Sequence, residues 1–376
     1  MIRHLKKIDY PVVIILLLFM LISTLLIKSA TVYDPQYESL PMKNIINYAI
    51  GFAILLLTAA TDYRIFVKIA YYLYGIGALL LLLVYKLGDE IHGAKGWFSL
   101  PFGFTFQPAE LMKIFLILAL VKYLENREYD HLRLIKDVGP LTLLTLLPFA
   151  LVLIQPDLGN AIIYIVIFLN LLWVGNLKYK HSVALILAIA LSLTAFVYSY
   201  IHYHEPIEEY LLSKKLGHWS ERIDTFLVPE SASRDARYHV ENTITAIGSG
   251  QLKGEGYLLG DSKNNGSIPF AYSDSIFAVI GEEFGFIGSS LLIALYLVLI
   301  SKLLLFKLQE SYAAAFIAAG VSAMLLFQIF ENMGMLMGIM PLTGITLPFI
   351  SYGGSSMAIN MFSIGLILSS RIHQRP

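Results

Sequence analysis

The chain of 376 residues contains no cysteine. Disulfides, thiolate metal sites and cysteine nucleophiles are excluded, and the redox compartment is left open. Charge is scarce: 14% of residues are ionised, and 27 basic residues balance 27 acidic ones. That balance argues against a nucleic-acid or other polyanion binder. Internal repeats and low-complexity tracts are also missing, and the nine histidines show no metal-ligand spacing. Hydrophobic residues, by contrast, make up 57% of the chain. A soluble domain of this length could not bury so much apolar surface, so lipid must cover part of it.

About ten apolar runs are long enough to be membrane spans or most of one. They lie near 10–28, 45–61, 69–87, 106–124, 139–154, 158–176, 181–203, 275–305, 311–337 and 343–370. The expected class is an all-α polytopic membrane protein. The first run follows Arg3, Lys6 and Lys7 in the manner of a signal peptide, but Lys28 interrupts a small-residue cleavage site, so it reads as a retained helix. The fifth run is short, and Pro148 and Pro156 predict a tilted or irregular segment there. Pro341 and Pro348 predict a re-entrant shape before the last span.

Orientation follows from lysine and arginine in the short loops. Arg64 and Lys68, then Lys122, Arg127, Arg133 and Lys136, then Lys178 with Lys180, Lys302 with Lys307, and Arg371 with Arg375 share the side of the N-terminal cations. Both termini are then expected in the cytoplasm. One large loop, residues 204–273, precedes span eight on the outer side, within a single membrane domain 1–376. Arg222–Phe226 and Val240–Ile247 are expected to be short interfacial helices in it. Its glycine-rich stretch Gly248–Gly256 is expected to be flexible. Asp261–Gly266 superficially matches a calcium loop, but Lys263 and Tyr272 occupy ligand positions, so that reading fails.

Ionisable groups near or inside spans are the informative ones, because lipid makes them costly. Four clusters occur, all toward the outer side. The first holds Lys95, Trp97, Gln107, Glu110 and Lys113; Pro108 suits a helix first turn, and Glu110 and Lys113 fall on one helix face. They form either an intrahelical ion pair or a paired site with Lys113 free for an anionic group. The second is Gln155-Pro-Asp-Leu-Gly-Asn160, where Asp157 can simply cap a helix. The third runs from Ile268 to Gly285. It sets Asp274 at the mouth of span eight, as a helix cap or a proton acceptor, with Glu282 and Glu283 two turns deeper. The fourth joins Gln328, Glu331 and Asn332 to Pro341–Ser356, including Ser351; its glycines and serines can be packing residues alone. Two classes survive: a transporter, or an enzyme acting on a lipid-linked substrate at the outer face. The ionisable groups gather on one side and no matching pair of broken helices is evident, which favours the enzyme.

At these clusters the chain resembles the SEDS family (shape, elongation, division and sporulation). The matching strings are Gly93-Ala-Lys with Trp97, Gln107–Lys113, Gln155–Gly159, Ala246–Gly250, Asp274–Gly288, Gly338–Gly344 and Ser351–Ser356. They cover nearly the whole chain in order, and the elongation branch is the most similar. The resemblance implies a peptidoglycan glycosyltransferase of the bacterial cytoplasmic membrane that polymerises lipid II. Asp274 falls on the family's essential aspartate, as general base for the acceptor sugar hydroxyl, with a divalent cation (Mg or Mn) as a candidate helper at that residue. Lys95 and Lys113 would neutralise the departing pyrophosphate, and Glu110 and Asp157 would orient these groups. Trp97, Gln107, Gln155, Glu331 and Ser351 complete the implied substrate-binding set. Grooves between spans would hold polyprenyl tails in contact with membrane lipid. The implied partner is a class B penicillin-binding protein, a transpeptidase. The chain departs from the pattern at Gly96, where arginine is common, and at Tyr272-Ser273, where His-Thr is common; both changes remove a potential cation.

Overall fold

The structure is a computed structural model and describes residues 9–91, 94–100, 104–127, 129–213, 217–304 and 311–373. Among the described residues, ten apolar helices form where the runs predict them: α1 (Tyr10–Ala30), α2 (Leu40–Ala60), α3 (Ala70–Leu87), α4 (Pro108–Glu125), α5 (Gly139–Ile154), α6 (Leu158–Val174), α7 (Tyr179–His202), α8 (Ile276–Leu304), α9 (Tyr312–Leu336) and α10 (Gly354–Ile372). At about 1.5 Å per residue, twenty residues match about 30 Å of hydrocarbon. Eight are long and apolar enough to cross a membrane, α5 when the helical turn from Leu134 that leads into it is included. The remaining two are α6, which is shorter, and α4, which carries Glu110, Lys113, Lys122 and Glu125. The chain is an all-α polytopic membrane protein.

Burial separates the helices into a core and a rim. Nearly every residue of α4 is buried, and α9 and α10 are almost as enclosed. The charges of Glu110 and Lys113 are therefore covered by protein rather than lipid, whereas Lys122 and Glu125 in the last turn are partly exposed. Close packing uses small residues, as in other membrane bundles. Gly51 of α2 lies against Met361 of α10, and Gly365 of α10 against Leu55 and Thr58 of α2. At the rim, only Ser182 and Tyr200 of α7 are buried.

Several local expectations are corrected. Pro148 does not break the fifth span, because α5 continues through it; the chain turns instead at 155–157. The last helix starts at Gly354, not near 343, and the preceding segment is irregular. The carbonyls of this irregular segment are satisfied from neighbouring helices, as buried backbone without helical bonds requires. The Ser23 hydroxyl donates to the carbonyl of Ile350 (2.7 Å), Tyr48 to that of Phe349 and Tyr296 to that of Pro348. The two expected loop helices are longer than expected, Gly217–Leu227 and Arg234–Ser249, and a further helix, His204–Ser213, precedes them. Between α3 and α4 lies an antiparallel sheet that the span analysis did not anticipate, with β1 (Asp89–Ile91), β2 (Ala94–Leu100) and β3 (Phe104–Phe106) in that order.

The glycine-rich stretch is not a flexible tether. Phe286 and Ile287 donate to the carbonyls of Gln251 (2.8 Å) and Leu252 (3.1 Å). Glu255 and Gly256 donate to those of Glu282 (2.9 Å) and Glu283 (3.0 Å). These bonds occupy the point where α8 is kinked at Gly285, whose φ of 61° suits glycine. A Cβ at Gly250 would strike the carbonyl of Gly281. The glycines serve close approach of two backbones rather than freedom of motion.

Candidate functional site

The four polar clusters converge on one cavity of about 270 Å³. It opens on the face that carries the sheet and the 204–273 loop. Its walls come from distant parts of the chain: Trp97, Gln107 and Glu110 from the sheet and α4; Asp157 and Asn160 from the start of α6; Ser273 and Asp274 before α8; Thr343–Thr346 and Tyr352–Ser356 before α10.

Each element is fixed by hydrogen bonds. Asp157 caps α6, accepting from the Asn160 amide (3.1 Å) and side chain (2.8 Å). The Gln107 side-chain amide donates to the same oxygen as the Asn160 side chain (2.8 Å), tying α4 to α6. Asp157 thus both caps a helix and lines the cavity. The Ser355 hydroxyl donates to the carbonyl of Thr105 (2.6 Å) and accepts from the Gln107 amide (3.2 Å), which fastens α10 to the sheet.

Asp274 is held by its backbone. The Asn332 side chain donates to the carbonyls of Asp274 and Ile345, both at 2.7 Å. The Ser351 hydroxyl donates to the carbonyl of Ser273 (2.6 Å), and the Tyr352 amide to that of Tyr272 (3.0 Å). The Asp274 carboxylate accepts from the Ser273 hydroxyl (3.0 Å) and faces the cavity. A Cβ on Gly344 would come within 3.7 Å of it. Tyr272 packs at a tilt against Tyr37, with ring centroids 4.6 Å apart, and edge-on to Tyr352. Burial and the hydrogen bond with Tyr37 raise its hydroxyl pKa, so it brings no charge to the site.

Four expected substrate contacts do not line the cavity. Lys113 is fully buried and its ammonium donates to Glu110 at 2.7 Å, so it is not free for an anion. The same carboxylate that was expected to share a site with it has captured it. Gln155 donates to the carbonyl of Leu81 (2.9 Å) and braces α3. Ser351 is spent on the Ser273 carbonyl and on accepting from the Leu347 amide (2.8 Å). Glu331 is buried in α9 behind Gly159, beneath the cavity wall. The backbone of Lys95 pairs with Glu90 in the sheet, but its side chain lies outside the described residues. Among the described residues, no lysine, arginine or histidine lines the cavity.

Glu282 and Glu283 serve elsewhere. Glu282 accepts from the amides of Ser262 (2.6 Å) and Lys263 (3.2 Å), and Glu283 pairs with the Lys263 ammonium (3.1 Å). They anchor the loop to α8.

One residue near Asp274 had no sequence signal beyond its place in a short amphipathic helix. His239, in the loop helix Arg234–Ser249, is buried with Nε2 2.9 Å from the Ser275 hydroxyl. Burial lowers its pKa, partly opposed by the negative charge of Asp274. A histidine held neutral favours the native state above its unfolded pKa of about 6.5. That contribution is lost as pH falls through the lower folded value. The wild type should therefore lose melting temperature between pH 7 and pH 5 more steeply than His239→Gln; equal slopes would remove His239 from the account.

Comparison with known proteins places the chain among similar sequences and folds. Residues 5–375 match the family model for FtsW, RodA and SpoVE, described as a cell cycle protein. The peptidoglycan glycosyltransferase MrdB of Escherichia coli K12 is 32% identical over 368 residues, covering 98% of this chain and 94% of the relative. The peptidoglycan glycosyltransferase RodA of Treponema pallidum is 29% identical, with 99% of each covered. A probable peptidoglycan glycosyltransferase FtsW of Nitrosomonas europaea is 32% identical over 80% of this chain and 74% of the relative. Among solved structures, a chain from work on coordination of polymerization and crosslinking by a peptidoglycan synthase complex superposes with TM-score 0.77 at 30% identity, covering 97% of both chains. RodA of Thermus thermophilus superposes at 0.69 with 28% identity, covering 98% of both.

Proposed function

This chain belongs to the SEDS family of FtsW, RodA and SpoVE proteins, which are peptidoglycan glycosyltransferases, and we propose that it polymerises lipid II into glycan strands for cell elongation and shape. The observation that carries this is the convergence of the four polar clusters on one cavity at one face, with Asp274 in its wall. In this reading Asp274 takes the proton from the acceptor sugar hydroxyl. The hydroxyl oxygen then forms the new glycosidic bond as the donor's bond to its lipid pyrophosphate breaks. Glu110 and Asp157 orient the sugars, Trp97 and Gln107 contact them, and Asn332 and Ser351 position Asp274 through its backbone.

The departing pyrophosphate needs positive charge. The described lining supplies oxygen ligands, among them the carboxylates of Glu110, Asp157 and Asp274; Glu110 is held by Lys113 and Asp157 by Gln107 and Asn160, which leaves Asp274, completed by phosphate and water, as the group suited to Mg or Mn. Asp274 would hold such an ion, which supplies charge neutralisation; Lys95 is the protein's own candidate for the same task. The partner in this reading is a class B penicillin-binding protein, in keeping with the synthase complex to which the fold is similar. The elongation branch is favoured because MrdB and RodA relatives align over 98–99% of the chain and FtsW relatives over 77–89%. Purified protein given labelled lipid II, with and without divalent cation and partner, should produce glycan chains. If no chains form in any condition while lipid II crosses sealed vesicles, a transporter replaces the enzyme.

The cavity faces the outside of the cytoplasmic membrane in this reading, with both termini in the cytoplasm, because the short loops opposite it carry the cations. The native chain has no cysteine. A single cysteine at exposed Lys253 should therefore react with an impermeant maleimide on intact spheroplasts, and one at Lys178 only after lysis. The reverse labelling would invert the topology.

A further inference from the structure

On the face opposite the active cavity, two concavities adjoin. An apolar groove of about 740 Å³ runs between α6, α7 and α9, and a polar pocket of about 490 Å³ lies below it. They meet at the turn from α6 to α7: Leu177 and Ser182 line the groove, whereas Lys178 and His181 line the pocket. The pocket is built rather than accidental. Its two turns are knit by the Asn176 amide donating to the carbonyl of Tyr129 (2.8 Å) and by a bridge between Leu132 and Leu177. Buried Asp137 accepts from Arg127 and from the Arg133 amide (2.8 Å), which holds the first turn. Asp137 is thereby occupied, and among the described residues Arg133 and Lys178 have no carboxylate in ion-pair range.

The groove itself is not uniformly apolar. The hydroxyls of Ser182 and Ser322, both more than nine-tenths buried, and the side-chain oxygen of Asn170 have no hydrogen-bond partner. Unpaired buried polar atoms are costly and ask for a ligand that supplies partners. Ser182 stands four residues above Lys178, about 6 Å along the helix. That is the order of a phospholipid: phosphate at the cations, ester carbonyls one step deeper, acyl chains beyond.

We propose that an anionic phospholipid of the adjacent leaflet occupies this site, its phosphate at Lys178, Arg133 and His181, its ester groups at Ser182 and Ser322, and its chains in the groove. Charge complementarity at the mouth selects it over a zwitterionic lipid. The inference is independent of the glycosyltransferase reading, since it uses no residue of the active cavity.

Native mass spectrometry of the full-length protein titrated with phosphatidylglycerol or phosphatidylcholine tests it. Phosphatidylglycerol should bind more tightly, and Lys178→Gln/Arg133→Gln should weaken it by at least about fivefold, one cation's worth, without changing phosphatidylcholine binding. Lys180→Gln removes a neighbouring charge that lines neither concavity and should change nothing. Ala323→Leu fills the groove, keeps every cation, and should also displace the lipid; it gives the reading if the double variant cannot be purified. Equal binding of the two lipids, or an unaffected double variant, overturns the proposal. Competition by inorganic phosphate alone would make this an anion site, and preferential displacement by a polyprenyl pyrophosphate would reassign it to that lipid; either result overturns the phospholipid assignment.

Discussion

Asp274→Asn should lower glycan polymerisation by about two to four powers of ten, the usual contribution of a general base, while leaving the protein folded. The substitution removes the proton acceptor but little else. Asparagine keeps an oxygen for the Ser273 hydroxyl, and the bonds that position residue 274 run from Asn332 and Tyr352 to main-chain carbonyls of this segment. Its melting temperature and lipid II binding should therefore match the wild type. In a rod-shaped host depleted of the protein, cells should round up rather than filament, and Asp274→Asn should fail to restore rods. Polymerisation within a few-fold of wild type would end the general-base assignment, and filamentation on depletion would end the elongation role.

Lys263→Met should be the most destabilising single change considered, at about 3–5 kcal/mol, the cost of leaving a buried charge without its partner. Lys263 and Glu283 are almost wholly buried and 3.1 Å apart. The ammonium also donates to the carbonyl of Ser29 (3.2 Å), and Glu283 accepts from the Ser29 hydroxyl and the Leu258 amide. Three segments are thus joined: α1, the loop and α8. Removing the lysine strands the carboxylate, so thermal unfolding in detergent should begin well below the wild-type temperature. Adding Glu283→Gln should recover much of the loss, because no charge is then stranded. If Lys263→Met melts with the wild type, the pair does not hold the loop.

Much of the architecture was legible in the chain because lipid imposes its constraint locally. A window of about twenty residues either avoids charge or does not, and ten such windows became ten helices. Side-chain and backbone direction is what local sequence does not carry. Lys113 and Glu110 share a helix face, which suggested a cation offered to substrate, but the pair closes on itself inside the bundle. Gly248–Gly256 has the composition of a hinge, yet its backbone is bonded to the kink of α8. Composition reports what a backbone can do, and only its neighbours decide whether it moves.

The division of the acids shows the same limit. Asp274, Glu282 and Glu283 lie within ten residues of one another, and hydropathy treats them alike. Asp274 reaches the cavity because Asn332, 58 residues away, bonds its carbonyl and Ser351, 78 residues from Ser273, bonds the carbonyl of Ser273. Glu282 and Glu283 turn to the loop because Lys263 and the amides beside it are there. The sequence by itself determined that the chain spans a membrane many times, which face carries the cations, and where polarity is concentrated, since these are properties of local transfer free energy. The tertiary structure alone decided which polar groups share a cavity and which merely hold the fold. Helix rotation and loop closure are set by packing between distant segments, and no single stretch of sequence contains that information.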